Sequence, residues 1–117
     1  MDLAGHWDLV IEQGASFLRY FKWEDSTGAA VDLADYSLRM SIRTVYGEGL
    51  IATSEGDAPT ITIAKPGAAG VFTVAMTPAV TTLLDFNRAV YDIEADDDTD
   101  VYRVVQGNVT LSREATT

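Results

Sequence analysis

The densest group of residues that could bind a ligand is a run of acidic side chains late in the chain. Its members are Asp92, Glu94, Asp96, Asp97, Asp98 and Asp100. Calcium prefers several carboxylate oxygens, so a cation site would use Asp96, Asp98 and Asp100. The spacing lacks the glycine and the final glutamate of an EF-hand loop. A solvated turn between two strands explains the same residues, and we expect neither a metal nor a cofactor.

Residues for nucleophilic or histidine-based catalysis are scarce. The sequence has no cysteine, which excludes disulfides, thiol catalysis and thiolate metal sites. His6 is the single histidine, so no catalytic triad and no zinc site built on histidines can be assembled. We expect it to be a partly exposed side chain at the start of a strand. Nothing in the sequence singles out two of the 18 acidic residues as the carboxylate pair of a glycosidase. The sequence therefore predicts a protein that is not an enzyme, and no catalytic residue is assigned.

Aromatic and arginine side chains are the other candidates for recognition of a partner. Trp23 and Tyr91 are predicted to lie in the core, whereas Tyr46 and Tyr102 are predicted to lie at the surface. Arg39 and Arg43 share the polar face of one predicted strand. They would pair with carboxylates of a neighbouring strand or with those of a partner. A carbohydrate-binding module that uses Tyr46 or Tyr102 is thus one open alternative.

The clearest structural pattern is the alternation of apolar and polar residues from Tyr36 to Arg43. A period of two predicts a strand with one buried face. Further predicted strands, bounded by Gly, Pro, Asp or Ser, cover residues 6–12, 50–53, 60–64, 71–77, 88–95 and 101–112. Ser16 to Glu24 is so rich in aromatic and apolar residues that it predicts a central strand with both faces at least partly covered. Gly107 predicts a bulge or a close approach of two backbones.

The connections between these strands complete the predicted fold. The strands over 60–64 and 71–77 would form a hairpin around a turn from Pro66 to Gly70. Thr77 can cap a short helical turn that begins at Pro78. Together these elements predict an all-β fold, an immunoglobulin-like antiparallel β-sandwich with one short helical turn, in which residues 1–117 form a single domain. The competing all-β architecture is an OB-type barrel, which would carry a basic face that this chain lacks.

Composition limits the partners. The net charge is −10, from 18 acidic and 8 basic residues, and a field of that sign repels phosphate backbones, so we expect no nucleic-acid partner. The acidity either keeps a densely displayed protein soluble or steers it toward a basic surface. The apolar runs are shorter than the roughly 20 residues that span a bilayer. The first residues lack the basic and apolar parts of a secretion signal. We therefore expect no membrane contact and folding in the cytoplasm.

Three segments resemble a pattern of small tailed-bacteriophage virion proteins, "QGatf…f.WkDsdG.pvDLtGytarmqIR". They are Gln13–Phe17, Phe21–Gly28 and Val31–Arg43, and the likeness continues over 70–74, 91–94 and 101–112. The chain is also similar to the amino-terminal domain of phage upper baseplate proteins. That domain shares the opening "QG…D..G.p.DLtg" and has an immunoglobulin-like or related β-sandwich.

The resemblance implies a non-enzymatic structural protein of a virion, an adaptor in the tail, baseplate or fibre-attachment region. The implied partners are other phage structural proteins of the tail, baseplate, fibre or capsid, in a symmetric multicopy assembly made in the host cytoplasm. A capsid decoration, or cement, protein is the alternative within the same class. Edge strands and loops would provide the contacts, because an unpaired edge offers main-chain donors and acceptors to a partner strand.

Overall fold

Most of the regular structure is β-strand in the computed structural model, which describes residues 5–65, 69–113 and 115. The strands are β1 Gly5–His6, β2 Leu9–Glu12, β3 Phe17–Lys22, β4 Ser37–Val45, β5 Glu48–Thr53, β6 Thr62–Ala64, β7 Val71–Met76, β8 Arg88–Asp96 and β9 Val101–Ser112. A 3-10 turn covers Leu33–Asp35, and one short helix, α1, covers Pro78–Thr82. The predicted all-β class is therefore confirmed.

The larger sheet is mixed. Its strand order is β1-β9-β8-β4-β5, and β2 also pairs with β9. The pairs among β9, β8, β4 and β5 are antiparallel, whereas β1 and β2 run parallel to β9. The prediction of a purely antiparallel arrangement is thus wrong at the start of the chain. Two parallel strands need a long connection, and here the residues between β2 and β9 provide it.

The smaller sheet has the order β3-β7-β6 and is antiparallel. The hairpin of β6 and β7 confirms the prediction, although residues 66–68 of its turn lie outside the described residues. β3 is an edge strand, so the prediction of a central strand is wrong. Leu18 and Tyr20, on its outer face, remain 49% and 69% exposed. Apolar composition does not reveal whether a face is covered, since folded surfaces also carry apolar residues.

The buried side chains of both sheets belong to one hydrophobic core. β8 contributes every second residue, as its sequence predicts: Ala89, Tyr91, Ile93 and Ala95. Met40 and Ile42 of β4 join them from the larger sheet, and Phe72 and Val74 of β7 join from the smaller one. The period of two therefore orients these strands correctly.

β9 changes register in its middle. Ile93 lies opposite Val105 and Glu94 lies opposite Arg103, so Val104 is one extra residue and forms a bulge. As a result, Val104 and Val105 are both buried. Gly107 marks the predicted close approach instead, because a Cβ atom there would lie 2.2 Å from the carbonyl oxygen of Trp7.

The short helix begins as predicted. The Thr77 hydroxyl oxygen accepts a hydrogen bond from the main-chain N–H of Val80 at 3.3 Å, and Pro78 is the first helical residue. This arrangement satisfies one of the N–H groups that a helix leaves unpaired at its start. Within the described ranges, no helix is long and apolar enough to cross a membrane.

Candidate functional site

An open cleft lies where an edge of the larger sheet meets an edge of the smaller one. We call it the edge cleft; β1 and part of β9 form one wall, and β3 with the residues that follow it forms the other. Its volume is about 550 Å³. The lining residues are Gly5, His6, Trp7, Arg19, Tyr20, Phe21, Lys22, Trp23, Glu24, Arg103, Val104 and Val105. Trp7 and Tyr20 are 63% and 69% exposed, so the edge cleft combines a strand edge with exposed aromatic rings.

The main chain of β3 presents, on the side away from β7, groups that no strand of the described residues pairs with. The N–H of Trp23 donates to the carbonyl oxygen of Gly70 at 2.8 Å. Because bonded and non-bonded positions alternate along an antiparallel pair, residues 17, 19 and 21 bond to β7. The N–H and C=O groups of Leu18, Tyr20 and Lys22 therefore point the other way. On that side, no other strand of the described residues pairs with β3.

Arg19 points into the edge cleft from the same face of β3 as Phe17 and Phe21. The centre of its guanidinium lies 5.1 Å from the centroid of the Phe17 ring. One of its Nη atoms donates to the carbonyl oxygen of Leu18 at 3.0 Å. A charged residue on the inner face of an edge strand discourages unwanted strand pairing. Arg19 thus occupies one of the acceptors that β3 would offer to a partner.

More basic than acidic side chains line the edge cleft, although the protein as a whole is acidic. Arg19, Lys22 and Arg103 line it, which places there three of the 8 basic residues of a chain whose net charge is −10. The Lys22 Nζ lies 3.4 Å from the carboxylate of the lining residue Glu24, and the Arg103 Nε lies 3.6 Å from that of Asp92. Arg19 is the basic lining residue that forms no ion pair with a carboxylate of the described residues. A positive patch attracts acidic ligands and repels basic ones. The charge of Arg19 therefore favours an acidic partner.

A second hollow lies on the outer face of the larger sheet, and we call it the Tyr46 hollow. Its volume is about 410 Å³. Arg39, Arg43, Asp92 and Glu94 line it beside the Tyr46 ring. Tyr46 is 51% exposed, which confirms its predicted place at the surface. Its hydroxyl donates to the carbonyl oxygens of Tyr91 and Gly107 at 3.4 and 3.3 Å, so the ring is held against the sheet.

Arg39 pairs within the sheet, as one of the two predicted arrangements requires. Its Nε lies 2.9 Å from the Glu94 carboxylate, and an Nη atom lies 3.3 Å from that of Asp96. Both carboxylates belong to the adjacent strand β8. Arg43 lines the same hollow but forms no ion pair with a carboxylate of the described residues. The Tyr46 hollow therefore holds one arginine whose charge is not neutralised by direct contact.

Asp92 provides a pH-dependent test of this hollow. Burial raises the pKa of its carboxyl, and the nearby Glu94 adds to the rise against the opposing charges of Arg103, Arg43 and Arg39. The folded state therefore holds this proton to a higher pH than the unfolded state. The contribution of Asp92 to stability is present below the unfolded-state pKa of about 4 and is lost as the pH rises through the higher folded-state pKa. We expect the free energy of unfolding of Asp92→Asn to increase relative to wild type over that interval. Urea denaturation at a series of pH values measures the difference.

Asp97 is the control of opposite sign. The main-chain N–H groups of Asp100 and Thr99 lower the pKa of its carboxyl. The stability that this ionised carboxylate contributes is present above the unfolded-state pKa and is lost as the pH falls. Relative to wild type, the free energy of unfolding of Asp97→Asn should therefore increase as the pH falls. That of Asp92→Asn should instead increase as the pH rises. Parallel pH profiles of the two variants would contradict the assignment.

The acidic run forms the turn between β8 and β9. The Asp96 carboxylate accepts from the N–H of Asp98 at 2.7 Å. That of Asp97 accepts from Thr99 at 3.0 Å and from Asp100 at 2.7 Å. These carboxylates therefore stabilise the backbone of the turn, in agreement with the prediction of a turn between two strands. In the part of the chain that the structure describes, no group of three or more His, Cys, Asp or Glu side chains could hold a metal ion.

Tyr102 is not the surface residue that the sequence predicts. It is half-buried, and its ring centroid lies 6.1 Å from that of Trp23 and 6.3 Å from that of Tyr36. The bulge at Val104 shifts the alternation of β9 by one residue, which turns Tyr102 inward. Trp23 and Tyr91 lie in the core as predicted. Of the two predicted surface tyrosines, Tyr46 alone remains a candidate for ligand contact.

His6 lines the edge cleft. It is exposed, as predicted, and its Nε2 lies 3.1 Å from a carboxylate oxygen of Asp8. Sequence reasoning missed the neighbouring Trp7, Arg19 and Tyr20 as members of one site. The signal that could have found them is Arg19, because a charge at an apolar-face position is typical of an edge strand.

Comparison with known proteins does not assign the chain to a family. No family model matches this chain, and no curated protein matches it at a significant level.

Proposed function

We propose that the protein is a non-enzymatic structural protein of a tailed-bacteriophage virion, an adaptor in the tail, baseplate or fibre-attachment region. In this role it docks onto other virion proteins in several symmetric copies. The observation that carries the proposal is the unpaired edge of β3 beside the exposed rings of the edge cleft. Such an edge binds a partner through main-chain hydrogen bonds and gains specificity from adjacent pockets.

The residues that carry the sequence resemblance support a scaffolding role. The Asp25 carboxylate accepts from the N–H groups of Thr27 and Ala29 at 2.9 and 3.1 Å. That of Asp32 accepts from Ala34 at 2.9 Å, at the start of the 3-10 turn. The aspartates of the resembling segments thus shape turns between strands, which is what a structural module needs.

We propose an immunoglobulin-like sandwich as the architecture behind this function. The two sheets share no strand within the described residues, and one core collects their buried side chains. A closed OB-type barrel would instead join the strands in one continuous sheet. The parallel placement of β1 and β2 beside β9 is a departure from a purely antiparallel sandwich.

The proposal is tested on particles of the virus that encodes the chain. We expect mass spectrometry of purified virions to find the protein in a fixed ratio to the tail proteins. Cryo-electron microscopy should then place it at the tail, baseplate or fibre attachment. Density on the capsid would favour the decoration alternative. Absence of the chain from purified particles would contradict a virion role altogether.

A carbohydrate-binding module at the host-facing end is the second candidate, and the Tyr46 hollow favours it. An aromatic ring beside arginine and carboxylate side chains can stack on a sugar and bond its hydroxyls. Here Tyr46 stands beside Arg43 and Asp92. Binding of the isolated protein on a glycan array, abolished in Tyr46→Ala and retained in Tyr20→Ala, would favour this function over the adaptor role.

A further inference from the structure

β3 has room for one more strand. The main-chain groups of Leu18, Tyr20 and Lys22 point away from β7, and within the described residues no strand occupies that side. The 6 residues of β3 extend over roughly 20 Å. An extended segment laid along this edge would satisfy these groups through a regular ladder of hydrogen bonds.

The surroundings of that position specify the chemistry of the segment. Side chains on one face of an added strand would enter the edge cleft, near Arg19. Those on the other face would lie beside the exposed side chains of Leu18 and Tyr20. We propose that the edge cleft binds an extended segment of a partner protein in which acidic and apolar residues alternate, and that this segment adds to the smaller sheet next to β3. The inference rests on the proposed docking role and names the chemistry of the docked segment.

Arg19 makes the acidity of the segment a requirement. In the free protein its guanidinium bonds to the carbonyl oxygen of Leu18, one of the acceptors that an added strand must use. A carboxylate on the incoming segment forms a stronger, charge-assisted bond with this guanidinium. The exchange frees the Leu18 carbonyl to accept a main-chain N–H of the segment. A neutral or basic segment offers Arg19 no such replacement.

A second copy of this chain is a poor occupant of the same position. Antiparallel pairing of β3 with β3 of another copy would place the Arg19 side chains of both copies on the same face of the joined sheet, close to each other. Like charges on adjacent strands destabilise the pair. The net charge of −10 also repels two copies from each other. The charge of Arg19 instead complements an acidic segment of a different protein.

The probe is a peptide of about eight residues with blocked ends in which glutamate alternates with valine. We expect it to bind and to slow hydrogen exchange at the amides of Leu18, Tyr20 and Lys22, as followed by NMR. Two versions methylated on alternate backbone nitrogens separate main-chain pairing from charge attraction. One version must lose binding and the other must keep it, because the bonding groups of a strand alternate in direction. Equal binding of both versions would overturn the proposal.

Protein variants test the two parts of the edge cleft. Tyr20→Pro removes an N–H that points away from β7, so the sheet can tolerate it while strand addition is blocked. Tyr20→Ala is its matched control, and we expect it to bind at least ten times more tightly than Tyr20→Pro. Arg19→Met should reduce the preference for the glutamate peptide over a threonine–valine peptide about tenfold. Arg88→Met changes the net charge equally but lies outside the edge cleft, and its preference should remain that of wild type.

Two further results separate this inference from the proposed function. Light scattering that showed a dimer dispersed by the peptide would assign β3 to a second copy and overturn the inference. Incorporation of Tyr20→Pro into virions at the wild-type ratio would also overturn it, while leaving the virion role intact. Absence of the wild-type chain from virions together with normal peptide binding would contradict only the virion role.

Discussion

Replacement of Phe72 by alanine is expected to lower the free energy of unfolding by about 3–5 kcal/mol. Phe72 lies on β7, the central strand of the smaller sheet, and its side chain is 0% exposed. Its ring stacks on that of Phe21 with 5.4 Å between centroids. The substitution therefore removes a large buried side chain and leaves a cavity between the sheets. Urea denaturation followed by tryptophan fluorescence measures the loss.

Tyr20→Ala is the matched control for this prediction. It truncates a ring of similar size on the adjacent strand, but this ring is 69% exposed. We expect a loss of no more than about 0.5 kcal/mol, as for surface substitutions in general. A loss for Phe72→Ala close to that of the control would mean that the two sheets do not share the core described above.

Substitution of Gly107 by alanine is expected to lower the free energy of unfolding by about 3 kcal/mol, since overpacking and a broken buried hydrogen bond combine. The new Cβ atom would lie 2.2 Å from the carbonyl oxygen of Trp7 and 2.7 Å from its carbonyl carbon. The main chain beside β1 must therefore move. That movement also disturbs the bond that the buried Tyr91 hydroxyl donates to the Trp7 carbonyl oxygen. Thermal and urea denaturation both report the change.

Gly5→Ala provides the comparison within the same pair of strands. A Cβ atom at Gly5 would lie 3.6 Å from the nearest atom, the carbonyl oxygen of Val104, which is an ordinary contact. Neither Gly5 nor Gly107 has a positive φ angle, so backbone conformation strains neither substitution. We expect Gly5→Ala to stay within about 0.5 kcal/mol of wild type. Equal losses for the two variants would contradict the close approach at Gly107.

Local patterns predicted the elements whose signal is contained in a few neighbouring residues. The alternation in β4 and β8 assigned their buried faces, because a strand places successive side chains on opposite sides. Thr77 and Pro78 predicted the start of α1, because capping involves the first helical turn alone. The acidic residues from Asp96 to Asp100 were correctly interpreted as a turn for the same reason.

The position of a strand within its sheet depends on contacts between distant parts of the chain, which a local pattern does not contain. The aromatic run of β3 therefore indicated a strand but not that it lies at an edge. The bulge at Val104 turned Tyr102 inward, although the residue types alone suggested a surface position. The edge cleft arises in the same way, since Trp7, Arg19 and Arg103 come together only when β1, β3 and β9 assemble. Residue types decided which segments form strands, whereas long-range pairing decided which of those strands leave main-chain groups free for a partner.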